Sequence, residues 1–193
     1  MGSISQKDLD NAIRKANSYK GLIIDLRKYP KGYTQIMMEN LLYPRRTEFM
    51  WYSMNSKTYP GNYFLDIIGR MGKKENPDYY KGKTAILVSE HTQSFGELSA
   101  IAYRASANSA VIGTQTAGTN GHIGMLYLPR GIKVAYTMSG AFYPNWGMNQ
   151  RCGVKIDIPI EQTAEDVEKG KDIWIEKAIE YINGNTARND TAK

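Results

Sequence analysis

Three short stretches are almost continuously apolar: residues 21–26 (G-L-I-I-D-L), 84–88 (T-A-I-L-V) and 109–113 (S-A-V-I-G). None shows a helical period, and their β-branched content suits strands buried on both faces of a sheet. Helical spacing fills the gaps between them. Leu9, Ile13 and Ala16 form one stripe over residues 6–19, with Ser5 as cap and Gly21 as stop. Residues 33–42 read as a second helix closed by Pro44, and Leu98, Ile101, Ala102 and Tyr103 mark a third. A last capped helix starts at Thr163-x-x-Asp166, carries Ile173, Ile175, Ala178, Ile179 and Ile182, and ends at Gly184. Weak alternation predicts strands at 48–54 and 154–160, and residues 126–128 and 132–137 around Pro129-Arg130-Gly131 predict a hairpin. Residues 56–83 read mostly as loop, with one strand or helix at 63–68, and the polar residues 185–193 as a disordered tail. Strands alternating with helices, plus a late hairpin, define an α/β domain with a mixed sheet flanked by helices.

At 193 residues the chain is of single-domain size, and we place one domain at residues 1–184. The net charge of +6 is scattered, with small concentrations near Lys31 and at Arg45-Arg46, and no basic stripe points to nucleic acid. Cys152 is the single cysteine, so no internal disulfide forms and no metal cluster is expected; no cofactor motif is present. No apolar run approaches the roughly 18 residues of a membrane span.

The chemistry concentrates where the strand at 84–88 turns into the third helix. Ser94-x-x-Glu97 has the form of a capping box, which puts Ser94 at a strand-to-helix corner. The first N–H groups of a helix lack intrahelical partners and its positive dipole end faces outward, so an oxyanion forming there is stabilised. Ser94 is therefore either a cap or a nucleophile that exploits this geometry.

Several segments together resemble the serine peptidase family of the C-terminal processing (tail-specific) proteases and the tricorn protease core, nearer the tricorn-like branch. They are G-L-I-I-D-L-R at 21–27, T-Q-S-F-G-E at 92–97, A-V-I-G-T-Q-T-A-G at 110–118, L-P-R-G at 128–131, G-V-K-I-D-I at 153–158 and E-D-V-E-K-G-K-D at 165–172. The resemblance implies a Clp protease/crotonase-like fold and Ser94 as nucleophile, with Glu97 supporting the corner. It implies oxyanion donors at the backbone of Phe95 and at Gly32, whose family glycine pair here reads Lys31-Gly32. The lysine base of the processing branch falls on Thr119, so that Ser–Lys dyad is absent. The glutamate that orients a histidine in the tricorn-like branch corresponds to Gln150. His122 is the better candidate base of the two histidines, ahead of His91, and we expect residues 116–124 to wall the cleft. The resemblance also implies an extended peptide or unfolded protein as substrate, bound by strand addition at a sheet edge. It further implies an upstream domain in the parent protein, a homo-oligomer, and a cell-envelope or exported location in a bacterium. An inactive module binding peptides or an apolar ligand stays open beside the peptidase. A crotonase-type acyl-CoA enzyme shares the fold without support from these motifs.

Overall fold

The computed structural model describes residues 1–56, 58, 59 and 61–186. Helix α1 (Gln6–Lys15) is capped by Ser5, whose Oγ accepts from Asp8 N–H, and a single 3₁₀ turn carries the chain into strand β1 (Gly21–Asp25). Helix α2 (Tyr33–Leu42), strands β2 (Thr47–Asn55), β3 (Tyr63–Met71) and β4 (Lys83–Val88), helix α3 (Phe95–Arg104) and strand β5 (Ser109–Gly113) follow. The chain continues through β6 (Ile123–Tyr127), β7 (Lys133–Thr137), β8 (Ser139–Phe142), β9 (Ile158–Pro159), α4 (Ala164–Glu168) and α5 (Ile173–Asn183).

The α/β class holds, with the parallel and antiparallel strands in separate sheets. Strands β1-β4-β5-β9, in that order, form a wholly parallel sheet. Its central strands are apolar on both sides because both sides are covered. Ile86, Val88 and Val111 face a core shared with Leu9, Met38, Tyr43 and Ile101, while Ala85, Leu87, Ala110 and Ile112 face Trp174, Ala178 and Tyr181. Each buried Ile, Leu or Val contributes roughly 1.5–3 kcal/mol of transfer free energy. A second sheet, β3-β2-β8, is antiparallel; Met50, Tyr52 and Ala141 face the core and the other face meets solvent. Strands β6 and β7 pair only with each other and expose Tyr127, Val134 and Tyr136.

Four sequence expectations change. The segment read mostly as loop contains the nine-residue strand β3, hidden because register shifts against β2 break its alternation. Strand β8 has only small residues before Phe142 and no periodic signal. The predicted strand at 154–160 contracts to β9, because the Asp157 carboxyl accepts the Val111 N–H (2.9 Å) while Asp157 N–H donates to Val111 O, and the carboxyl also pairs with Arg104 (2.7 Å). A side chain thus takes a ladder position. The final helix divides into α4 and α5, separated by a positive-φ Gly170 and a new N-cap at Asp172. Residues 187–193 of the expected tail lie outside the described residues.

Candidate active site

The parallel strands β1 and β4 end side by side, and their following loops build the corner. Thr92, buried after β4, accepts the Ser89 N–H (3.0 Å) at its Oγ1, which also donates to Leu26 O just past β1 (3.0 Å). Its carbonyl accepts the Ala117 N–H (3.0 Å). One threonine therefore ties the ends of two strands to the loop beyond β5. Two residues on, Ser94 sits at φ 48°, ψ −115°, a conformation that a residue with a Cβ adopts only under strain. Of the residue types that could stand there glycine would be relaxed, so serine is held against a cost of about 1–3 kcal/mol. Ser94 is thus held at a sharp strand-to-helix turn at the entrance to α3.

Glu97 holds the corner closed. It is fully buried, and its carboxyl accepts four hydrogen bonds: from Ser94 N–H (3.3 Å), Thr116 Oγ1 (2.6 Å), Gly118 N–H (2.8 Å) and Thr119 N–H (2.8 Å). The nitrogens of Ser94 and Thr119 lie 3.3 and 2.8 Å from the same oxygen, Oε2, and so at most 6.1 Å apart. The loop carrying Thr119 is thus fixed beside the serine corner. Gly118 is required there: at φ 68° a Cβ would stand 2.8–3.0 Å from the Arg151 backbone. Thr116 Oγ1 completes the bracket by accepting the Val154 N–H (2.9 Å).

The loop after β1 covers the other side. Tyr29 packs on Phe95 with ring centroids 6.4 Å apart, and Pro30 lies beside Gly96. Gly32 stands exposed at the N-terminus of α2 with φ −58°, and neither it nor Lys31 takes a positive φ, so lysine at the first position of the family pair costs no backbone strain here. Arg27 anchors the start of this loop through Asp25 (2.8 Å) and Asp172 (2.9 Å), and its guanidinium lies 5.5 Å from the Trp174 ring.

His122 and Gln150 are engaged with β8. His122 Nδ1 lies 3.0 Å from Ser139 Oγ, and the ring meets Tyr52 edge-on at 4.9 Å. Burial pushes the Tyr52 phenol up to about 12, so it serves as a hydrogen-bond donor, to Asn120 Oδ1 (3.3 Å). The Gln150 amide is spent: Nε2 donates to Asn120 O and Ser139 O (2.8 Å each), and Oε1 accepts Ala141 N–H (3.3 Å). Ser139, not Gln150, therefore touches His122. Gln150 and Asn149, whose N–H donates to Ala141 O, occupy the outer edge of β8 in place of a strand. A peptide cannot add as a strand at that edge. His91 is exposed, 3.4 Å from Glu90. Among the described residues no cluster of three His, Cys, Asp or Glu could hold a metal, and no helix is long and apolar enough to cross a membrane.

The sequence profile of peptidase family S41 matches residues 1–160, and the chain belongs to that family. None of the curated proteins matches it significantly in sequence. Among solved structures it is similar to a protein of Parabacteroides merdae ATCC 43184 assigned as a peptidase (19% identity, TM-score 0.79, 99% of this chain and 60% of that one). It is also similar to the photosystem II D1 C-terminal processing protease (17%, TM-score 0.60, 83% and 41%) and to the tricorn protease (23%, TM-score 0.59, 86% and 15%). These likenesses establish the fold of an S41 peptidase core. The chain spans about 60% of the length of the first of these structures.

Thr92 and Thr116 carry no assignment from sequence, although both lie inside quoted motifs. Threonines flanking a buried strand end and a glycine turn were the available signal, since a buried hydroxyl must find partners.

Proposed function

We propose that this chain is a serine peptidase core in which Ser94 attacks the carbonyl of an extended peptide. The observation that carries this reading is the strained backbone of Ser94 at the entrance to α3, buckled by Glu97 to the loop at 116–119. Strain of this kind persists only where the surroundings impose it, and it concentrates at sites of chemistry. The Phe95 N–H at the start of α3 and the Gly32 N–H are the oxyanion donors in this reading, and Thr119 and Gln150 keep the loop and β8 in register beside them. His122 is the base the chain itself offers: with Nδ1 on Ser139, Nε2 is the nitrogen left to take the serine proton. In the step, Oγ bonds to the carbonyl carbon, its proton passes to the base and then to the departing amine, and water releases the acyl group. The core is residues 1–184, and an upstream domain and a homo-oligomer belong to this proposal.

A second reading, a peptide-binding module without turnover, is favoured by Thr119 at the family's lysine position and by the fully occupied amide of Gln150. A fluorophosphonate probe separates the two. We expect a single adduct on Ser94 by peptide mass mapping, lost in Ser94→Ala, with turnover of casein-derived peptides that is slow, since base catalysis is worth about 10²–10⁴-fold. Absence of any adduct alongside retained peptide binding selects the second reading.

A further inference from the structure

The solvent face of β3-β2-β8 is floored by glycine. Gly140 pairs with Ser53, and a Cβ added to it would stand 2.5 Å from Ser53 Oγ, so glycine alone keeps the depression open. Around it Tyr63, Phe64, Leu65, Phe142 and Trp146 enclose a cavity of about 470 Å³. Trp146 is 59% exposed on a left-handed backbone (φ 65°), with its ring edge-on to Trp51 (4.9 Å) and Phe142 (5.8 Å). The Trp146 ring thus rests on Trp51 and Phe142 while most of it stays open to water. Tyr63 and Gly140 also line a second cavity of about 590 Å³, whose far wall is Thr119, Asn120 and Arg151. The two cavities share Tyr63 and Gly140 in their walls, and the second includes Thr119 of the loop bonded to Glu97; we call the adjoining pair the trough.

The trough is electrostatically one-sided. Arg151, an exposed residue, is the charged member among the described lining residues, and no carboxylate lies there. Arg151 also sits at a left-handed φ of 68°, fixed by its N–H to Gly118 O (2.8 Å), and it joins no ion pair among the described residues. Guanidinium forks pair with carboxylates, and aromatic rings offer edge and face contacts to another ring.

We propose that this trough selects the peptide: an aromatic side chain enters between Phe142, Trp146 and Phe64, and a carboxylate of the same peptide pairs with Arg151. This rests on the peptidase reading for the nature of the ligand, but binding does not require Ser94. The test is therefore run on the full chain carrying Ser94→Ala, by fluorescence anisotropy with labelled peptides. One contains Phe and Asp; others replace Phe by Ala, replace Asp by Asn with an amidated terminus, or carry Asn with a free terminal carboxylate.

We expect the parent peptide to bind about tenfold tighter than the Phe→Ala peptide and the neutral one, a difference of the size one good contact produces. Arg151→Gln should abolish the carboxylate preference and spare the aromatic one, and Trp146→Ser the reverse. Both positions are on the surface and leave the core intact. Retained affinity in the free-terminus peptide identifies the chain end as the source, and loss there identifies the acidic side chain. Equal binding of all peptides, binding of none, or preferences that survive both substitutions overturns the proposal. A trough that binds while Ser94 takes no probe leaves the proposal standing and refutes only the nucleophile.

Discussion

The serine corner and the trough meet at the loop of residues 116–120, which is bonded to Glu97 and also lines the trough, and they are built on opposite terms. Beneath the corner, every polar group of Glu97 has a fixed protein partner and the neighbouring strand residues are wholly buried. In the trough, rings stand in water and Arg151 lacks an ionic partner among the described residues. Reaction geometry must be fixed to fractions of an ångström, whereas recognition tolerates rings that adjust to their guest. The difference teaches where stability is invested: in the support of the corner rather than in the exposed rings of the trough.

Removing the support should produce the largest effect. Glu97→Ala takes the acceptor from three half-buried to exposed backbone N–H groups and from the buried Thr116 hydroxyl, and we expect a loss of about 4 kcal/mol in urea unfolding. Glu97→Gln should lose roughly half of that, because its NH₂ opposes the same donors. A loss below about 1 kcal/mol for the alanine variant would mean that the buckle is not what holds the corner.

Ser94 offers a smaller effect of opposite sign. Ser94→Gly relieves the positive-φ strain at a smaller cost in chain entropy, so the protein should gain about 1 kcal/mol while losing all reaction with the probe. Ser94→Ala keeps the Cβ and should show no such gain. Equal stability of the two variants would remove strain from the argument.

The smallest effect concerns acid. Burial raises the Asp25 carboxyl, but hydrogen bonds and charge from Arg27 outweigh it and hold the group below the usual carboxylate range. A depressed native value means that the stabilisation is complete above the ordinary carboxylate pKa near pH 4 and drains away as pH falls through the native value. Thermal melts of Asp25→Asn should therefore show a shallower decline in Tm than the parent below about pH 4. Parallel acid limbs would detach this pair from the stability of the loop over Phe95.

What could be read in the sequence followed from how local its cause is. The strands at 84–88 and 109–113 announce themselves because burial on both faces leaves no polar position, and the Ser94-x-x-Glu97 spacing fixes a helix start. Strand β8 and the groove floor at Gly140 could not be read, since their reason lies in β2 across the sheet. Gln150 illustrates the same limit: its position could be matched by motif, but its three hydrogen bonds depend on where Asn120, Ser139 and Ala141 arrive. The strain at Ser94 is likewise invisible to composition, because it is imposed by Thr92 and Glu97 acting on the chain between them.

The order β1-β4-β5-β9 also sets a timetable. Gly21 pairs with Lys83, 62 residues later, and the bracket on Glu97 closes only when Val154 N–H reaches Thr116. Closing a loop of that length costs about 4 kcal/mol before any contact offsets it. During synthesis at about 5–20 residues per second, Ser94 leaves the ribosome several seconds before Val154 does. Throughout that interval the bracket around the strained turn is incomplete. The strained turn at Ser94 is thus fully braced only in a core already assembled around it.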